Sequence, residues 1–162
     1  MLFRSDLRSI TETIEETGSS ADVRRVALER RRASISEAQK LDIHAPDDEI
    51  IVVHRQFYAN DDLVAISVDA MPSVDIPAEE DDRFGTGSVF AVLDRLRLSP
   101  TRARAEIHAV LASDVDFTTS DSFGDLLVLL DQVHYAKGGR PVAYSKTYFV
   151  EGRFQFVIMR TR

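Results

Sequence analysis

Apolar residues in this chain fall into runs of strand length, and the densest lie near its end. Leu126–Ala136 and residues 141–149, rich in β-branched and aromatic side chains, flank Lys137-Gly138-Gly139-Arg140, and this pattern predicts a β-hairpin. A further apolar stretch, residues 154–159, predicts a third, closing strand. The same design occurs earlier, where residues 50–58 and 63–71 flank the polar connection Asn60-Asp61-Asp62. A Tyr-Ala pair enters each turn (Tyr58-Ala59, Tyr135-Ala136) and a Val-Ala pair leaves it (Val64-Ala65, Val142-Ala143). This weak internal repeat predicts one sheet built around two related hairpins.

The rest of the chain supplies its helices and outer strands. The opening residues 1–5 are read as an edge strand or a linker. Ser9 and Glu12 have the spacing of a capping box, Ile10 and Ile14 share a face of the helix it starts, and Gly18 is its stop. Ala21–Arg32 reads as a half-buried strand with Val26 and Leu28 turned inward; its arginines, Arg24-Arg25 and Arg30-Arg31-Arg32, read as a solvated edge. A second capping box, Ser34 with Glu37, begins a brief helix ending at Leu41. Residues 72–84 hold two prolines and the acidic run Glu79-Glu80-Asp81-Asp82, which predicts an exposed, mobile loop. Ser88 starts a helix with Val89, Val92, Leu93 and Leu96 on one face. In residues 103–111, Ala105, Ile107, Ala109 and Leu111 alternate with Glu106 and His108, as in a strand. Residues 114–125 are polar, with room for one helical turn. Hairpin connections make the strands antiparallel. The predicted class is α+β, a mostly antiparallel curved sheet of about six strands with helices on one face and a cavity where helices and sheet diverge.

Composition narrows the functions. A chain of 162 residues, 44% of them hydrophobic, is expected to form a single domain with a real core. Its net charge of −7 argues against contact with nucleic acid by this chain. There is no cysteine, hence no disulfide framework and no thiolate metal site. No apolar run approaches the ~18 residues of a membrane span, so the expectation is a cytoplasmic protein that does not enter the membrane.

Candidate chemistry is sparse. The four histidines, His44, His54, His108 and His134, lack metal-ligand spacing, so no metal and no cofactor are expected. Glu106 and His108 share a strand face and form a candidate acid/base pair, with a plain polar strand face as the alternative. No nucleophile elbow, phosphate loop or dinucleotide fingerprint occurs, and no catalytic residue is assigned.

Leu7-Arg-Ser-Ile-Thr-Glu-Thr-Ile-Glu-Glu-Thr-Gly18, Ser36-Glu-Ala-Gln-Lys-Leu41, Arg55-Gln-Phe-Tyr-Ala-Asn-Asp61 and Gly87-Ser-Val-Phe90 come in that order. The closing Gly139-Arg-Pro-Val-Ala-Tyr-Ser-Lys-Thr-Tyr and Arg153-Phe-Gln-Phe156 complete a set that resembles the effector-binding UTRA domain. That domain follows a winged helix-turn-helix in the HutC branch of GntR-type bacterial transcription regulators. The resemblance covers nearly the whole chain. It implies a chorismate-lyase-like fold, a homodimer and a pocket for a small metabolite that alters operator binding. It also implies that residues 1–162 form one effector-binding domain, with the DNA-reading module lying ahead of residue 1 and DNA reached only through it.

Carried over by position, the family's sugar-phosphate pocket is partly kept. Ser9, Arg55 and Ser88 match its polar positions, whereas Phe57 stands for a second Arg, Phe90 for a Tyr, Ala143 for a Glu and Phe149 for a Tyr. Ser145 and Thr147, on the strand between the last two, complete the candidate effector-binding set together with Glu106 and His108. Two serines near helix N-termini and one Arg suggest a carboxylate or a weak phosphate site, and three Phe residues suggest an apolar body for the effector. The structural alternative makes Ser9 and Ser88 mere N-caps, Arg55 a strand residue and the Phe residues plain core. The expected function is therefore effector sensing, without catalysis, in a GntR/HutC-like regulator. A chorismate-lyase-type enzyme using Arg55 and Glu106, or a purely structural dimerisation module, are the other readings.

Overall fold

The computed structural model describes residues 2–3, 7–85, 87–115, 124–157 and 160. Six strands form one sheet. In chain order they are β2 (Ala21–Arg32), β3 (Glu49–Ala59), β4 (Asp62–Pro72), β5 (Pro100–Leu111), β6 (Leu126–Ala136) and β7 (Pro141–Val150). Their spatial order is β2-β3-β4-β7-β6-β5, antiparallel at every pairing. The two hairpins expected from sequence, β3–β4 and β6–β7, meet at the centre of the sheet, where Asp69 pairs with Ser145 and Ser67 with Thr147. The sheet is thus two three-stranded meanders joined through β4 and β7. A separate parallel pair joins β1 (Leu2–Phe3) to β8 (Gln155–Phe156). The closing segment is therefore shorter than expected and does not extend the main sheet, while residues 158 and 159 lie outside the described residues.

The continuous run Ile50-Ile51-Val52-Val53 follows from burial on both faces of the sheet. Ile51 and Val53 pack with Met71, Phe84, Val89 and Leu93 under helix α3 (Val89–Arg95). Ile50 and Val52 pack with Leu41 of helix α2 (Ile35–Leu41), on the opposite face. Helix α1 (Ile10–Glu15) buries Ile14 against Phe57 and Phe149, on the α3 side. Helices therefore cover both faces rather than one. The alternation read from sequence could not show this, because a strand buried on both sides carries no alternation.

Local signals explain the connections. Both capping boxes are formed, at Ser9 with Glu12 and at Ser34 with Glu37. The β3–β4 connection is a two-residue turn in which Asn60 and Asp61 both have positive φ, 48° and 70°, as a type I′ turn requires. Asp61→Gly is expected to raise stability by about 0.5–1 kcal/mol, because glycine adopts this conformation without steric cost. A rise in the urea midpoint at unchanged slope would show it; an unchanged midpoint would mean that the turn carries no strain.

Two further sequence readings are corrected. Residues 72–84 are not an exposed loop. They form 3₁₀ turns at Ser73–Asp75 and Ala78–Gly85 that bury Ile76 and Phe84 in the core. Arg30 of β2 clasps them, donating to Asp81 Oδ1 at 2.7 Å and to the Ile76 carbonyl at 3.0 Å. The acidic run conceals this anchor, because two of its carboxylates, Glu80 and Asp81, are held in ion pairs between two buried apolar residues. In β2 a bulge between Arg25 and Ala27 shifts the register, which leaves Val26 exposed while Leu28 stays half-buried. In the polar stretch after β5, one 3₁₀ turn lies at Ala112–Asp114; residues 116–123 are outside the described residues.

Candidate functional site

A cavity of about 530 Å³ opens between the sheet face that carries Arg55 and the N-terminal ends of α1 and α3. Ser9, Arg55, Phe57, Ser88, Phe90, Ser145, Thr147 and Phe149 all line it. Alternation along the strands places them there. Arg55 and Phe57 share one face of β3, and Ser145, Thr147 and Phe149 share one face of β7.

Three expected site residues are elsewhere. Glu106 and His108 point to the other side of β5, while Ala105 and Ile107 face the cavity. Their side chains are 43% and 50% exposed and lie 3.5 Å apart, and Arg104 completes this surface ion cluster. Strand alternation put the two on one face correctly, but which face turns to the core depends on pairing with β6. Ala143 is fully buried beneath α3 with Val142 and Met71, behind the cavity wall.

Both serines are helix caps. The Ser9 hydroxyl accepts from the Glu12 backbone N–H, and the Glu12 carboxylate takes the Ser9 N–H at 2.8 Å. The helix's own carboxylate thus lies beside the N-terminus of α1, on the Ser9 N–H. The Ser88 hydroxyl accepts from the Phe90 N–H at 3.1 Å.

Arg55 sits at the polar centre of the wall. It is only 4% exposed, and its Nη2 donates to Asp69 Oδ2 at 2.9 Å. Its Nη1 donates to the Gly87 carbonyl at 2.8 Å, one residue before the N-cap of α3. Asp69 also accepts from the Ser67 hydroxyl at 2.7 Å and from the Ser145 hydroxyl at 2.7 Å. Cross-strand register brings these groups together, since Arg55 pairs with Ser67 and Asp69 with Ser145. A buried cation and a buried anion therefore compensate each other within the wall.

Gln132 and His134 of β6 continue the polar stripe beside Ser145. His134 is 3% exposed, with its ring edge-on to Phe90 at 5.2 Å between centroids. Burial pushes its imidazole down to about 4, with the Asp69 charge acting weakly the other way, so His134 is neutral near pH 7. Its Nδ1 and the Nε of Arg55 are buried and have no hydrogen-bond partner within the described residues. Around this stripe Phe57, Phe90, Leu130, Ile107, Phe149 and Phe156 make the wall apolar.

Sequence reasoning missed Asp69, Gln132 and His134. The signal was present: each is a polar residue inside an apolar strand, at even spacing from other polar residues on the same face. Among the described residues no group of three His, Asp or Glu side chains could hold a metal ion, and no helix is long and apolar enough to cross a membrane.

A six-stranded antiparallel sheet with helices arched over a partly polar cavity defines a small-molecule-binding α+β domain. The family model for the UTRA domain matches residues 16–155. The chain belongs to this family, the effector-binding domains of transcriptional regulators. Solved structures show the same fold at low identity. PhnF from Mycobacterium smegmatis superposes with a TM-score of 0.85 at 18% identity, over 99% of this chain and 72% of that one. The effector domain of the same PhnF gives 0.82 at 20% identity, covering 98% of this chain and 100% of that one. The ligand-binding domain of a GntR-family transcriptional regulator from Bordetella bronchiseptica gives 0.73 at 18% identity, over 87% and 89%. A search among curated proteins gives no match.

Proposed function

We propose that the cavity is the effector site of a GntR-type regulator, and that its occupancy controls DNA binding by a winged helix-turn-helix joined to this domain. The observation that carries this reading is the buried polar cluster of Arg55, Asp69, Ser145 and His134 set into the wall of a largely apolar cavity. Burying charged and polar groups is costly, and hydrophobic substitutes of similar volume would serve stability as well or better. A ligand-facing role explains their presence. The effector is a small metabolite whose apolar body lies against Phe57, Phe90 and Phe149 and whose polar head meets the Arg55 stripe. A carboxylate-bearing effector, the expectation from sequence, would compete with Asp69 for the Arg55 guanidinium.

The regulator works as a cytoplasmic homodimer of the HutC type by population shift, in which the effector favours one arrangement through its higher affinity for it. The Arg55 bond to Gly87 leads from the cavity to the start of α3, so α3 is the element expected to respond. The acidic chain itself makes no contact with nucleic acid. Turnover is not part of the function. Asp69 is the one carboxylate on the cavity wall among the described residues, and it is already tied to Arg55 and two hydroxyls, whereas Glu106 faces away.

A thermal-shift screen with sugar phosphates, carboxylates, aromatic acids and neutral amides tests the site. A ligand at 100 times its dissociation constant is expected to stabilise the domain by about 2.7 kcal/mol. Ala105→Phe, which pushes a ring into the cavity from β5, is expected to abolish that shift. A ligand that stabilises this variant as much as the native chain binds elsewhere, and the proposal fails.

A further inference from the structure

We infer that Gln132 selects the ligand of this cavity by hydrogen-bond pattern. The ligand it fits is a planar heterocycle that carries an N–H donor and a carbonyl or ring-nitrogen acceptor side by side, as a nucleobase edge does. This inference rests on the cavity being the effector site and names the class of ligand read there. It does not concern the ligand's charge, on which Arg8 and Arg102, also in the cavity lining, bear.

Three observations carry it. First, the Gln132 amide is left for a ligand to engage. The residue is half-buried on the cavity face of β6, between Leu130 and His134. Among the described residues its amide has no hydrogen-bond partner, and neither amide atom is sealed inside the protein. Register explains why. On one side Gln132 pairs with Ala105 of β5, which has no polar side chain; on the other it pairs with Ser145 of β7, which gives its hydroxyl to Asp69. Second, the polar groups around it are engaged already. Arg55 and Ser145 both donate to Asp69, Ser9 and Ser88 cap their helices, and Arg8 pairs with Glu16. A ligand therefore meets Gln132 without breaking a bond within the wall. A primary amide presents a donor and an acceptor in one plane, and by turning over it presents them in either order. Two parallel hydrogen bonds to it need a donor and an acceptor on neighbouring atoms of a flat edge, the geometry by which glutamine reads adenine. Third, the rings of Phe57, Phe90, Phe149 and Phe156 line the same space, Phe149 and Phe156 standing edge-to-face at 77°. Such rings bind a flat apolar body, and the amide then fixes its orientation.

The test compares 2-quinolone, whose ring N–H lies beside its carbonyl, with 1-methyl-2-quinolone, in which a methyl group replaces that hydrogen. Both are planar and neutral. Binding is measured by calorimetry and thermal shift on the native chain, Gln132→Met and Ala105→Phe. The native chain is expected to bind 2-quinolone about tenfold more tightly than its methylated form, because the latter leaves the amide acceptor unpaired. Gln132→Met is expected to melt with the native chain, since no bond within the protein is lost, and to bind the two probes about equally. Ala105→Phe is expected to abolish both. Equal binding of the probes by the native chain, or a preference that persists in Gln132→Met, with both probes lost in Ala105→Phe, overturns the inference and leaves the effector site standing. Binding that survives Ala105→Phe overturns the inference and the effector-site reading together. If neither probe binds the native chain, the inference is overturned. If Gln132→Met does not fold, the two probes on the native chain decide alone, and absence of a preference there overturns the inference.

Discussion

Arg55→Met is expected to destabilise the domain by about 3–5 kcal/mol, the usual cost of stranding one member of a buried ion pair. Arg55 and Asp69 are 4% and 5% exposed, so water cannot take over the role of the missing partner. Without the guanidinium, the Asp69 carboxylate keeps the hydroxyls of Ser67 and Ser145 but has no counter-charge. The Gly87 carbonyl also loses its donor, which loosens the chain just before α3. The double variant Arg55→Met with Asp69→Leu removes both charges and is expected to lose less than either single variant. A double-mutant cycle by urea denaturation measures the coupling directly. Additive losses would mean that the two side chains do not act as a pair.

The second large effect is on acid stability. The His134 imidazole is held at about 4 in the folded protein by burial, against 6.5 in the unfolded chain. Between those values the unfolded state binds a proton that the folded state does not, so stability decreases as pH falls from about 6.5 towards 4. At 1.36 kcal/mol per unit the loss comes to about 3 kcal/mol across the window. Glu37 acts lower down. Arg31 pulls its carboxyl down to about 2, so its contribution is present above the usual 4.5 and is lost only as pH falls below that value. The interval between 6.5 and 4.5 is therefore where His134 shows itself. His134→Phe, placed against Phe90, is expected to flatten the stability profile in that interval while leaving the slope below 4.5. The same slope above pH 4.5 in both proteins would show that His134 is hydrated and charged in the fold.

Features with a local cause were legible in the sequence. The two hairpins, the two capping boxes and the α3 stripe of Val89, Val92 and Leu93 rest on side-chain period and short-range hydrogen bonds, which neighbours in sequence dictate. The family motifs correctly brought Ser9, Arg55, Ser88 and the three Phe residues to one cavity wall. Long-range pairing was not legible. That Glu106 and His108 turn outward follows from the register of β5 on β6. That residues 73–85 are anchored follows from Arg30, more than forty positions earlier.

The sequence by itself thus determined the α+β class, the antiparallel order within each meander and part of the cavity wall. Tertiary structure alone decided the state of its central charge. Arg55 and Asp69 are 14 residues apart on neighbouring strands, and Ser145 comes 76 residues after Asp69. Nothing local selects these partners. The β3–β4 and β4–β7 registers set them side by side, and burial then favours their mutual neutralisation.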